Sequence, residues 1–145
     1  MASFGFGRDR RIRRRSDFVR VQSAGERATC RHFVLLVHAR EAVLRDGDRH
    51  KPGAVEGSTM TKGASRLGVV VTRKIGDATM RNRIKRLCRE CFRLWPGFVP
   101  DGIDLVVIAR DGAAELTLDR VRDEWSRARP TLLKRCESVL RAASG

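Results

Sequence analysis

Apolar and polar positions alternate along RHFVLLVHA (31–39): Phe33, Leu35 and Val37 fall on one side, Val34, Leu36 and His38 on the other. This two-residue period predicts a strand with one face in a core and a second, mildly apolar face. RLGVVVTRK (66–74) predicts another strand, and IDLVVIA (103–109), apolar on both sides, predicts an interior one. Elsewhere the spacing is helical. Ile84, Leu87, Cys88, Cys91, Leu94 and Trp95 form one stripe of a helix expected over 78–95, stopped by Pro96-Gly97. Leu118, Val121, Trp125 and Ala128 repeat that spacing. It resumes at Leu132, Leu133, Cys136, Val139 and Leu140, after a break or kink expected at Pro130. Upstream, Ser16 is the expected N-cap of a short helix of about two turns, with Phe18, Val21 and Gln22 on one face and Gly25 at its end.

Between the first two strands, residues 43–64 collect Gly, Asp, Ser, Thr and Pro without a period, which predicts a long loop. The order helix, strand, strand, helix, strand, helix implies an α+β fold, a two-layer sandwich of a mixed sheet with helices. At 145 residues and 41% hydrophobic, the chain has the length and composition of one domain. Residues 1–15, rich in mutually repelling Arg with little to bury, are expected to form a mobile basic arm.

Charge turns this scaffold toward a partner. The formal net charge is +14, with a pI near 11.3, which points to a polyanion, either nucleic acid or an acidic membrane surface. Residues 8–20 carry a net +5 and residues 66–95 a net +7, whereas 101–145 balance eight bases against eight acids. The excess is therefore focused. With no apolar run long enough to span a bilayer and no apolar core in MASFGFGRDRRIRRR, neither membrane insertion nor secretion is expected, and the compartment is expected to be the cytoplasm. Cys30, Cys88, Cys91 and Cys136 are then expected to be reduced thiols acting as small hydrophobes.

Opposite the apolar stripe of the 78–95 helix, Asn82, Lys85, Arg86, Arg89 and Arg93 form a row of donors with Glu90 as the nearby acid. A face so uniformly positive, and so rich in Arg whose planar fork matches phosphate oxygens, suits nucleic acid better than mere solubility. Phosphate contacts do not read sequence, so folded RNA fits it better than a DNA operator. No catalytic set accompanies it: His32 and His38 are about 20 Å apart if they share a strand, and no Asp/Glu cluster suggests a two-metal site. Cys88-x-x-Cys91 lacks a second ligand pair and sits mid-helix, so core packing is the expected role.

SRLGVVVTRKIGDATMRNRIKRLCRECFR (65–93) closely resembles the signature region of the bacterial ribonuclease P protein component. Its centre is Arg81-Asn82-Arg83 followed by Lys85-Arg86, and RRIRRRSDFVRV (10–21), RHFVLLV and DLVVIAR extend the likeness over about residues 10–140. The resemblance implies a subunit of an endoribonuclease that joins a catalytic RNA and removes the 5′ leader of precursor tRNA. Mg²⁺ would be bound mainly through the RNA, with no catalytic side chain and no small-molecule substrate in the protein. By that resemblance Arg81, Asn82, Arg83, Lys85, Arg86, Arg89 and Arg93, with Lys74 beside them, face RNA, while Phe18, Val34 and Leu36 line a cleft for the unpaired leader. The chain departs from the family at Gln22 and Leu36, where many relatives carry aromatics. The implied fold is similar to a ribosomal-protein domain with a left-handed crossover between 66–74 and 103–109, where general handedness rules favour the right-handed form. From the residues alone, a generic RNA-binding or ribosomal protein remains the alternative.

Overall fold

The computed structural model describes residues 10–40 and 64–144. Residues 1–9 of the expected arm and 43–63 of the expected loop lie outside the described residues. The elements are α1 (Arg15–Ala24), β1 (Glu26–Thr29), β2 (Phe33–Ala39), β3 (Arg66–Val70), α2 (Ala78–Arg93), β4 (Ile103–Ala109) and α3 (Leu118–Ser144), with a 3-10 turn at Ala113–Glu115. The strands form one mixed sheet in the order β1-β2-β4-β3, antiparallel except for the parallel β3/β4 pair that α2 connects. This is the expected α+β sandwich.

Register explains which side chains go where. Phe33, Leu35 and Val37 of β2 and Leu105, Val107 and Ala109 of β4 point into the main core, where α2 and α3 supply Ile84, Cys88, Phe92, Val121, Trp125 and Leu132. The alternate residues face the other way, and there α1 forms a partial roof, packing Val21 against Leu36 and Val106. The second face of β2 is thus also a core face, because α1 needs somewhere to bury its own apolar side.

Several boundaries differ from those expected. β1 is an additional strand; only Ala28 of its four residues is buried, too little for a visible period. α1 begins at Arg15, its N-cap Arg14 makes no side-chain cap, and Ser16 lies inside the helix. Gly25 does end it, in an extended conformation, and the site requires glycine because a Cβ would come within 2.4 Å of the Val21 carbonyl oxygen and 2.7 Å of that of Val37. β3 stops at Val70, and Arg73 to Ile75 form a turn. α3 runs unbroken through Pro130. Val121, Trp125, Ala128, Leu132, Cys136 and Val139 make one continuous buried stripe, so packing on both sides outweighs the lost backbone hydrogen bond.

The basic leader is anchored from Arg10 onward rather than mobile there. Ile12 is buried, and its N–H donates to the Leu67 carbonyl at 2.9 Å. Arg10 donates through Nε to the Ser65 carbonyl at 2.8 Å and lies over the Phe92 ring. Residues 10–12 therefore cover the β3 edge of the sheet, an edge otherwise open to pairing with another chain.

Candidate nucleic-acid interface

Asp77 starts α2 by accepting a hydrogen bond from the Met80 N–H at 2.9 Å, the side-chain cap that satisfies one of the helix's free donors. Ile84, Cys88, Cys91 and Phe92 then face the core. Phe92, rather than the exposed Leu94, completes the stripe; Trp95 follows the helix in a turn. On the outer side, Asn82, Arg86, Arg89 and Arg93 line a depression of about 350 Å³ together with Glu90 and Arg11. Glu90 is bound by Arg93 through Nε at 3.2 Å and through Nη2. That hydrogen bonding holds its carboxyl below the usual range, so it offsets one cation and leaves the others.

Partial burial lowers the pKa of the Arg89 guanidinium, and the neighbouring charge of Arg11 lowers it further. A fold that holds two cations this close favours an anion between them, and Arg geometry suits phosphate oxygens. Arg11 was not among the expected site residues. Its signal lies in RRIRRR, where the single apolar Ile12 pins the segment and turns its neighbour toward α2.

The other expected positions do not converge on this depression. Lys74 is exposed in the turn before α2, and Lys85 is half-buried on the helix. Arg81 is half-buried, with its Nε buried and without a hydrogen-bond partner. Arg83 donates to the Ala114 carbonyl at 2.9 Å and the Leu116 carbonyl at 3.1 Å, tying α2 to the segment before α3. Two of its guanidinium nitrogens are thus engaged within the fold.

The second surface lies on the opposite face of the sheet, around the β3 edge. Three rows of side chains cross that face. The first is His38, Asp104 and Arg66; the second Leu36, Val106 and Gly68; the third Val34, Ile108 and Val70. α1 covers the first two. The Phe18 ring sits directly on Gly68, where a Cβ would meet ring carbons at 2.5 and 2.7 Å. Leu36 is 4% exposed beneath the helix, so it forms floor, not a contact surface as expected. Val34, Ile108 and Val70 are only partly buried and, with Phe18, form an open apolar strip. Val70 and Ile108 were missed because their strands read as core. Gln22 is exposed on α1.

Among the described residues no three His, Cys, Asp or Glu side chains are grouped to hold a metal ion. His32 Nδ1 pairs with the Glu124 carboxylate, and His38 Nδ1 lies 3.0 Å from the Ala39 carbonyl. All four cysteines are free and buried, and burial pushes the Cys91 and Cys136 thiols up to about 12. Cys88-x-x-Cys91 is core packing, as its mid-helix place suggested. No helix among the described residues is long and apolar enough to cross a membrane.

The ribonuclease P family profile matches residues 6–136. The ribonuclease P protein component of Thermotoga sp. strain RQ2 is 37% identical over 134 residues, 91% of this chain and 96% of that protein. That of Oleidesulfovibrio alaskensis is 37% identical over 103 residues, 71% of this chain and 68% of that protein. Among solved structures, the RNase P protein of Thermotoga maritima superposes with a TM-score of 0.61 at 33% identity, covering 86% of this chain and 96% of that one. The Staphylococcus aureus RNase P protein gives 0.64 at 25% identity, covering 85% and 94%. With its signature residues on the outer face of α2 and its sheet matched to these structures, the chain belongs to the ribonuclease P protein component family.

Proposed function

We propose that this protein works in the cytoplasm as the subunit that joins ribonuclease P RNA, binds precursor tRNA and assists removal of its 5′ leader, with catalysis in the RNA. The observation that carries this reading is the depression where Arg11, Asn82, Arg86, Arg89 and Arg93 converge with one already-paired acid. Phosphates of folded RNA are its natural occupants, with Lys74, Arg81 and Lys85 flanking. The strip formed by Phe18, Val34, Val70 and Ile108 suits unpaired bases, which gain from apolar and aromatic contact irrespective of sequence. In this reading Mg²⁺ is held mainly through the RNA subunit.

The test is leader cleavage at low Mg²⁺ by bacterial ribonuclease P RNA alone, this protein alone, and both together. Cleavage restored only by the pair is expected. Tight RNA binding without stimulation would favour a generic RNA-binding protein instead, and cleavage by the protein alone would overturn both readings.

A further inference from the structure

Four charged side chains from three elements meet beneath α1, away from the basic depression. Asp104 of β4 is fully buried, and its carboxylate accepts from Arg66 Nε and Nη2, each at 2.7 Å, and from Arg20 Nη2 at 2.7 Å. Asp17, also buried, accepts from Arg20 Nη1 at 2.8 Å and lies 3.5 Å from Arg66 Nη2. Burial opposes the charge on Arg66, but the hydrogen bond and charge of Asp104 outweigh it and raise its pKa. Two carboxylates and two guanidiniums thus balance in one joint between helix and sheet.

We infer that the Asp17, Arg20, Asp104 and Arg66 network positions α1 on the sheet, and so holds Phe18 as the wall of the apolar strip that receives the leader. Asp17 and Phe18 are consecutive, so the joint that fixes one fixes the other. Asp104 and Arg66 stand one row from Gly68, the bare backbone on which the Phe18 ring rests. Arg20 is the bridge, one nitrogen on each carboxylate. Arg20 and Arg66, although part of the basic excess, act here as positioning residues rather than phosphate ligands. The inference rests on the proposed function.

The experiment compares holoenzymes reconstituted with ribonuclease P RNA, using precursor tRNA bearing either a long leader or a single leader nucleotide. For Arg20→Gln and Asp17→Asn, the affinity advantage of the long leader should fall roughly tenfold, the scale of one lost charge-assisted hydrogen bond. Affinity for the RNA subunit should stay unchanged, and Arg20→Lys should recover part of the advantage. Asp104→Asn leaves two guanidiniums against one carboxylate and tests folding more than position, so the milder variants decide. Circular dichroism melts confirm that each is folded. An unchanged leader advantage in folded Arg20→Gln and Asp17→Asn would overturn the inference, as would a parallel loss of RNA-subunit affinity. Absence of any leader advantage or stimulation in the unaltered protein would overturn the functional reading and the inference with it.

Discussion

Arg83 and Arg86 lie three residues apart on α2, yet one is bound to two backbone carbonyls and the other lines the basic depression. Arg83→Ala should therefore cost about 1 kcal/mol of stability in urea unfolding, a value kept low by its exposure, and leave the salt dependence of RNA binding nearly unchanged. Arg86→Ala and Arg89→Ala should do the reverse, each reducing the slope of log K against log salt by about one in a fully stable fold. A loss of slope in Arg83→Ala equal to theirs would count against this division. Cys88 offers a test of a different kind. Burial, together with nearby Cys91, strongly raises its thiol pKa, and Arg89 offsets this only in part. The native thiol stays protonated while the unfolded one ionises near its ordinary pKa of about 8.5. Its contribution is therefore whole below that pH and declines above it, by up to about 1.4 kcal/mol per pH unit. Urea unfolding near neutrality and at about pH 10 should show a drop that is smaller in Cys88→Ala.

At the scale of elements, what could be read from the chain was what its local period encodes. β2 and α2 were legible because one alternates and the other repeats over several turns, and β4 because a short unbroken apolar run marks an interior strand. β1 was not, since one inward Ala28 between charged and polar neighbours has no period. Pro130 misled in the opposite direction: local chemistry calls for a break, and only the shared core beneath both halves of α3 removes it. The row of donors on α2 was visible, but the burial of Leu36 and the diversion of Arg83 depend on partners distant in sequence. The joint under α1 is the extreme case, linking Asp104 to residues 38 and 84 positions away. The seat of Phe18 gives this a consequence. Gly68→Ala puts a Cβ where the ring now lies, and backbone strain is not at issue because no positive φ is involved. The ring must lift, so leader-dependent affinity should fall while RNA-subunit affinity holds; a long-leader advantage as large in Gly68→Ala as in the unaltered protein would separate Phe18 from leader binding.

For the whole molecule, the count of 31 Lys and Arg overstates what RNA encounters. Arg20 and Arg66 are balanced by Asp17 and Asp104. Arg40, Arg110 and Arg129 donate to the carbonyls of Ala64, Cys30 and Phe98, holding loops and helix ends in place. The exposed or half-buried bases around α2 include Arg11, Arg73, Lys74, Arg81, Lys85, Arg86 and Arg89, with Arg93 shared with Glu90. If about six of these meet phosphates, counterion release predicts a slope of log K against log salt of about −4 to −6. Titrating binding to the RNA subunit over roughly 50 to 400 mM monovalent salt would measure it. A slope well beyond that range would mean that exposed bases outside this group, such as Arg13, Arg14 and Arg15, also reach RNA. A slope within the predicted range keeps the two surfaces independent: the basic depression anchors the partner RNA, and the joint under α1 stays intact to shape the strip beyond it.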